Sequence, residues 1–112
     1  MKQGLSVLRK RSDFLAANAG RRAATPGFVL LVRNREDGDP LKRIGFTVSK
    51  KVGKAVVRNR MKRRFRALAR ELMPVSGHVG SDHVMIGRSG GIEREFALLR
   101  QDLTRALEKT RP

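Results

Sequence analysis

The chain has 112 residues, of which 26 are lysine or arginine and 10 are aspartate or glutamate, so its net charge is +16. Cysteine is absent, which excludes disulfide bridges, thiol catalysis and cysteine-bound zinc and fits a reducing compartment. No apolar run approaches the roughly 18 residues of a membrane span, and residues 1–11 lack the apolar stretch of a secretory signal. We therefore predict one cytoplasmic domain, residues 1–112, that does not span a membrane and that binds a polyanion: nucleic acid, an anionic membrane surface or an acidic protein.

The first half of the chain predicts a helix followed by a buried strand. Ser12 is a candidate N-cap, and Gly20 is a candidate end of the helix that follows it. Residues 27–33 are apolar at successive positions, which favours a strand that is buried on both faces. This strand can be part of a hairpin, so that one strand or two precede the polar turn at residues 36–40.

The second half predicts a strand, a long helix, a short strand and a last helix. Residues 42–49 alternate between apolar and polar side chains, as a half-buried strand does. The long helix is predicted over residues 55–73, with Pro74 and Gly77 ending it, and residues 84–86 form the next strand. Apolar residues at helical spacing then predict a last helix: Ile92, Phe96, Leu99, Leu103 and Leu107. The resulting order is α-β-β-β-α-β-α, an α+β domain.

The long helix has an apolar stripe and an opposite cationic face. The stripe consists of Val57, Met61, Phe65, Leu68 and Leu72, and the opposite face of Asn59, Lys62, Arg63, Arg66 and Arg70, with Arg58 and Arg60 on the flanks. Residues 40–70 contain 12 basic residues and no acidic one, which indicates a binding surface for a polyanion. The amide of Asn59 can read a base edge or a 2′-hydroxyl, or can brace a neighbouring arginine.

No catalytic or metal site is predicted in the protein. His78 and His83 are five residues apart, with no cysteine and few acids nearby, which does not favour metal binding. Ser49 has no histidine and aspartate partners at a suitable spacing, and Gly53-Lys54 lacks the rest of a phosphate-binding loop. The acids of the last helix are typical of a solvated helical face.

One segment carries a resemblance to a known family. The run Val48-Ser49-Lys50-Lys51-Val52-Gly53-Lys54-Ala55-Val56-Val57-Arg58-Asn59-Arg60 resembles the signature of the bacterial ribonuclease P protein subunit. The similarity extends over nearly the whole chain. It implies a single-domain α-β sandwich, like the second domain of a small-subunit ribosomal protein, with a left-handed β-α-β crossover around the long helix.

The resemblance also implies a function. The protein is expected to be a subunit of an endoribonuclease that removes the 5′ leader of precursor tRNA, with the catalytic RNA and the precursor tRNA as partners and no small-molecule substrate. The RNA and its Mg²⁺ are expected to carry the hydrolysis, and the protein alone is expected to bind no cofactor.

Two sets of site residues are predicted, the first from the motif and the cationic helix face and the second from the resemblance alone. The predicted RNA-binding residues are Lys50, Lys51, Lys54, Arg58, Asn59, Arg60, Lys62, Arg63, Arg66 and Arg70. The predicted leader-binding cleft contains Phe14, Asn18, Leu31 and Thr47. The resemblance leads us to expect an aromatic residue near Asn18 and often a tyrosine at Leu31. Their absence predicts a leader contact that is weaker or depends more on phosphate charge.

Two alternative functions remain at this point. The chain can be a ribosomal or double-stranded-RNA-binding protein with no processing role, since such proteins share its size, charge and mixed α/β order. A module that binds a membrane surface or an acidic protein is less favoured, because Met61 and Phe65 belong to a domain-sized apolar pattern.

Overall fold

A five-stranded mixed sheet forms the centre of the fold in the computed structural model, which describes residues 5–112. The strands are β1 (Leu5–Val7), β2 (Arg21–Ala24), β3 (Phe28–Asn34), β4 (Lys42–Thr47) and β5 (Ser81–Gly87), and the α-helices are α1 (Arg11–Ala16), α2 (Ala55–Ser76) and α3 (Phe96–Lys109). Short 3₁₀ helices follow α1 at Ala17–Ala19 and β5 at Ser89–Gly91. The predicted order of helices and strands is confirmed, with β1 as an additional element.

The strand order in the sheet is β1-β4-β5-β3-β2, so β5 lies in the middle. β5 pairs in parallel with β4 and antiparallel with β3, whereas β1 is a parallel edge strand on β4. α2 connects the neighbouring parallel strands β4 and β5 and is therefore a crossover helix. The left hand that the resemblance implies for this connection stays a prediction.

The sheet is covered on both faces, which confirms the α-β sandwich. α2 and α3 pack on one face, where Phe28 of β3 meets Phe65 of α2 edge to face with 5.6 Å between the ring centroids. The opposite face carries a smaller cluster in which Leu31 and Val84 pack beneath α1 and the 3₁₀ turn after it. β3 contributes to both clusters, so its apolar residues are buried on both sides as its sequence predicts.

The first helix begins differently from the prediction. Ser12 is not the N-cap, because α1 begins at Arg11 and Lys10 occupies the cap position with no side-chain hydrogen bond. The carbonyl of Lys10 accepts hydrogen bonds from the backbone N–H groups of Asp13 and Phe14, so the backbone closes this turn. Gly20 does end the helical segment, where a Cβ atom would lie only 2.0 Å from the carbonyl oxygen of Val32.

The long helix continues through the proline that was expected to end it. α2 runs to Ser76, with Pro74 in its last turn and Gly77 as the C-cap. Proline has a φ angle that fits a helix, and near the end of a helix it removes only one N–H donor. The Nζ of Lys42 donates to the carbonyls of Met73 and Pro74, both at 3.0 Å, and so caps the helix end that the proline was expected to break.

The other boundaries shift by a few residues. β4 ends at Thr47, before the predicted end at residue 49, and α3 begins at Phe96, so that Ile92 lies in the preceding turn. Within residues 5–112, no helix combines the length and the apolar character needed to cross a membrane.

Candidate nucleic-acid interface

The cationic face of α2, formed by Asn59, Lys62, Arg63, Arg66 and Arg70, lies outside the apolar core. All of these side chains are exposed except Lys62, which is partly buried. The opposite stripe packs into the core through Met61, Phe65 and Leu68. The predicted division of the helix into an apolar and a cationic side is therefore confirmed.

Three exposed lysines, Lys50, Lys51 and Lys54, lie in the loop that leads from β4 into α2. We call residues 48–54 the lysine loop. Lys54 is the residue before the helix, and the first turn of α2 contains no acidic residue. Positive charges next to a helix N-terminus oppose the helix dipole, so this arrangement weakens the isolated helix and becomes favourable when an anion binds there.

The two arginines of Arg58-Asn59-Arg60 contact different loops of the protein. The Nε of Arg58 donates to the carbonyl of Gly53 at 3.1 Å, and Nη1 of Arg60 donates to the carbonyl of Ile92 at 3.1 Å. Asn59 is exposed between them and makes none of the side-chain hydrogen bonds found within residues 5–112. Of the two roles considered for its amide, bracing an arginine is not what this structure shows.

A groove of about 430 Å³, the α1 groove, lies between α1 and the sheet. All four residues of the predicted cleft line it: Phe14, Asn18, Leu31 and Thr47. Asn18 and Thr47 are exposed at its rim, Phe14 is partly buried, and Leu31 is only 3% exposed. Leu31 thus contributes packing at the base of the groove and little surface to a ligand.

The wall of the α1 groove depends on a glycine beneath a phenylalanine. A Cβ atom on Gly45 would lie 2.6 Å from the ring of Phe14, so only glycine leaves room for the ring against β4. Next to this contact, the backbone N–H of Leu8 donates to the carbonyl of Ile44 at 2.8 Å. These contacts fix the distance between α1 and the sheet, and thereby the width of the groove.

A buried carboxylate connects two arginines near this wall. Asp82 is fully buried on β5 and accepts hydrogen bonds from Arg35 at 2.9 Å and from Arg43 at 2.6 and 2.8 Å. Burial acts to raise the pKa of Asp82, but the hydrogen bonds from Arg43 and Arg35 outweigh it and hold the pKa below its usual value. Arg43 also lies 3.6 Å from Asp13 of α1, which joins the helix to the buried ion pair.

The two histidines form a stacked pair at the same end of β5 as Asp82, where His83 faces the opposite side of the sheet. Their ring centroids are 5.6 Å apart, and the backbone N–H of His78 donates to Nε2 of His83 at 3.0 Å. Nδ1 of His83 lies 3.0 Å from the carbonyl of Arg43, so the neutral ring carries its proton on Nδ1. Burial lowers the pKa of His83 to about 4, and it also lowers the pKa of His78.

The family model described as ribonuclease P matches residues 3–111 of this sequence. The chain belongs to the ribonuclease P protein family. It is the protein subunit of ribonuclease P, it acts in tRNA processing, and it forms part of an endoribonuclease holoenzyme. The family predicted from the motif around Arg58-Asn59-Arg60 is therefore confirmed.

Curated relatives agree with the ribonuclease P family. The ribonuclease P protein component of Erythrobacter litoralis is 58% identical over 107 residues, which cover 95% of this chain and 86% of the relative. That of Ruegeria pomeroyi is 51% identical over 108 residues, with the same coverage of 95% and 86%.

Solved structures agree as well. The ribonuclease P protein of Thermotoga maritima superposes with a TM-score of 0.80 at 31% identity, covering 94% of this chain and 97% of that one. The Staphylococcus aureus protein gives a TM-score of 0.76 at 27% identity, covering 91% and 92%. The α+β fold of the ribonuclease P family is thus shown for this chain.

Arg64 makes internal contacts in this ribonuclease P subunit that were not predicted from the sequence. Its Nη1 donates to the carbonyl of Gly91 at 3.2 Å and its Nη2 donates to the carbonyl of Arg94, so it fastens α2 to the turn before α3. Burial, followed by repulsion from Arg60, lowers the pKa of Arg64. A signal was present, because Arg64 falls next to the apolar stripe on the helical wheel and an arginine there needs backbone acceptors.

The α1 groove is also lined by residues that were not predicted from the sequence. Arg9, Arg11 and Phe46 line it together with the four predicted residues. From the sequence, Phe46 is predicted only as part of an alternating, half-buried strand. No pattern in residues 1–11 marks Arg9 and Arg11 as residues of a groove. The groove therefore has two arginines and a second aromatic ring.

Proposed function

We propose that this subunit of ribonuclease P binds the catalytic RNA with the lysine loop and the cationic face of α2, and that it holds the 5′ leader of precursor tRNA in the α1 groove. The observation that carries the proposal is the presence of these two different surfaces on one small domain. One is cationic and convex, and the other is a groove with an apolar base and arginines at its rim.

The convex surface suits a folded RNA. Its arginines can make bidentate contacts with phosphate, and lysines at a helix N-terminus suit a bound anion. Arg58 and Arg60 are held by backbone carbonyls, so part of their rotamer entropy is already lost before RNA binds. The exposed amide of Asn59 between them is free to bond a base edge or a 2′-hydroxyl.

The α1 groove suits a single strand. Phe14 and Phe46 supply ring surface for bases, and Arg9 and Arg11 supply charge for phosphates. Asn18 and Leu31, where the resemblance leads one to expect aromatic rings, supply an amide and a buried aliphatic side chain instead. We infer that this leader site depends more on phosphate charge than on stacking.

The hydrolysis is assigned to the RNA and to Mg²⁺ held by it. The buried carboxylates Asp82 and Asp102 are both engaged by arginines, Asp82 by Arg43 and Arg35 and Asp102 by Arg94 at 2.7 Å. The role of this chain in the reaction is therefore to bind, to neutralise phosphate charge and to position the leader. A cytoplasmic site of action, where precursor tRNA is processed, belongs to the same proposal.

The test is cleavage of precursor tRNA by a bacterial ribonuclease P RNA over a Mg²⁺ series, with and without the purified protein. We expect the protein to lower the Mg²⁺ concentration required for cleavage at the 5′ end of the mature tRNA. Heat-denatured protein serves as the control for added polycation. Unchanged cleavage and unchanged Mg²⁺ demand would overturn the proposal.

A further inference from the structure

A second groove, the β1 groove, lies between β1 and α2, on the face of the sheet opposite the α1 groove. Its volume is about 310 Å³, within the roughly 300–1,000 Å³ of small-ligand sites. The floor is formed by Ile44, Phe46 and Ala69, and the rim carries Arg9, Arg66 and Arg70. No acidic residue lines it among the described residues, so its charge favours an anion.

The rim and the floor of the β1 groove are joined by a stacked pair. The guanidinium carbon of Arg66 lies 5.9 Å from the centroid of the Phe46 ring, within the range of a cation–π contact. Unpaired bases in RNA stack on aromatic rings and on guanidinium planes. The pair Phe46–Arg66 thus presents a ready platform beside an apolar floor.

The position of the β1 groove narrows the choice of ligand. Arg66 and Arg70 belong to the cationic face of α2, so the groove is continuous with the surface assigned to the catalytic RNA. Arg9 and Phe46 also line the α1 groove, so the two grooves meet at these residues. A ligand in the β1 groove therefore lies between the two RNA sites.

We propose that the β1 groove takes one unpaired nucleotide of the catalytic RNA subunit, with its base on the Phe46–Arg66 pair and its phosphates near Arg9 and Arg70. This inference rests on the proposed function, since it assumes that α2 faces the RNA subunit. The pocket would bind a flipped-out nucleotide by stacking as well as by charge.

Site-specific crosslinking tests which RNA enters the groove. The chain has no cysteine, so Val7→Cys, at an exposed position that lines the groove and is in register with Ile44 of its floor, accepts a single azidophenacyl photocrosslinker. In the holoenzyme with precursor tRNA, we expect crosslinks to a discrete set of nucleotides in the RNA subunit. Gln101→Cys, exposed on α3, is the matched control. Crosslinks to the leader, or the same weak pattern as the control, would overturn the proposal.

Affinity for the RNA subunit, measured without precursor tRNA, separates the contribution of stacking from that of charge. Stacking is worth about 1–3 kcal/mol per base, so we expect Phe46→Leu to weaken affinity about 5-fold or more with no change in its salt dependence. Arg70→Ala should reduce the salt slope by about 1. If Phe46→Leu binds as the wild type does, the pocket is not used.

A variant that fills the β1 groove distinguishes a loss of RNA binding from a loss of folding. Val7 is half exposed and its side chain faces the groove, so Val7→Trp should fill the groove and leave the core intact. Its thermal midpoint without RNA should match the wild type while its RNA affinity falls. If Arg63→Ala weakens RNA binding and Val7→Trp does not, the pocket inference fails and the proposed function stands. If the wild-type protein does not bind the RNA subunit, the proposed function itself fails.

Discussion

The guanidinium of Arg60 donates a hydrogen bond to the backbone carbonyl of Ile92 and so ties the N-terminal half of α2 to the turn before α3. Arg63, one turn along the cationic face, makes no such bond among the side-chain contacts of residues 5–112. The two arginines thus differ in what a substitution removes. Loss of Arg63 removes surface charge, whereas loss of Arg60 also removes a tertiary contact.

We expect Arg60→Ala and Arg63→Ala each to weaken binding of the RNA subunit about tenfold or more, because each removes a charge-assisted contact of about 1.5–3 kcal/mol. Only Arg60→Ala should also lower the urea midpoint of the free protein. Arg105→Ala, exposed on α3, is the control and should change affinity less than about twofold. Filter binding at fixed salt measures the affinities, and equal losses for all three variants would contradict the assignment of α2 as the contact face.

The salt dependence of RNA affinity should be steep. If about 6–8 cations contact phosphate, the slope of log K against log salt should be roughly −4 to −7. The measurement is a titration of RNA-subunit binding from low to moderate potassium chloride at fixed Mg²⁺. A slope near zero would show that the lysine loop and the cationic face do not act as an electrostatic footprint.

The free protein should be stabilised by polyvalent anions. A net charge of +16 destabilises the compact state by self-repulsion, and a ligand that binds only the folded state stabilises it by mass action. We expect the thermal midpoint to rise with sulfate or phosphate, and more than with chloride at equal ionic strength. A midpoint that is indifferent to the anion would contradict this.

Gly45→Ala should damage the α1 groove. Its Cβ atom would displace the Phe14 ring, and overpacking of this kind costs about 1–3 kcal/mol. Urea unfolding should show this loss, and precursor tRNA should bind the holoenzyme less tightly while affinity for the RNA subunit is retained. Adding Phe14→Leu should restore part of the stability, because the smaller side chain relieves the clash. Purely additive losses would show that the two residues do not interact.

Folding stability should fall as the pH drops from about 6.5 toward 4. The pKa of His83 is lowered to about 4 in the folded protein, so between these pH values the unfolded state binds the additional proton. Protonation of Nε2 would also break the bond from the N–H of His78. The loss amounts to about 3 kcal/mol at most.

Urea midpoints from pH 4 to 7 measure this loss, and the ring proton signals of His83 in NMR identify the group responsible. Asp82 does not account for a loss in this window, since its pKa lies below the ordinary value of 3.8 and its contribution to stability is lost only below that pH. A His83 ring that titrates near 6.5 in the folded protein would contradict the prediction.

The periodicity of apolar residues predicted the buried face of a helix or strand wherever that face depends on the sequence of the element alone. The 3.6-residue spacing of Met61, Phe65 and Leu68 identified the buried side of α2, and the continuous apolar run of β3 identified a strand covered on both faces. β1 has only three residues, too few for an alternating pattern to be recognised.

Contacts between distant segments were not predictable in the same way. Asp82 is 47 residues from Arg35 and 39 from Arg43, and nothing local marks these three residues as partners. The four cleft residues were carried over from the resemblance alone, and only the fold places them around one groove. Their contact with the leader stays a prediction.

The turn between β3 and β4 has a consequence for how the protein meets RNA. Glu36, Asp37 and Asp39 are exposed there, at the start of β4, while the lysine loop follows the end of the same strand. Six residues of strand separate the two by about 20 Å, since each residue advances about 3.3 Å. The protein is therefore an electric dipole as well as a polycation. We therefore expect the field of an RNA to favour encounters in which the lysine loop faces the RNA and the acidic turn faces away.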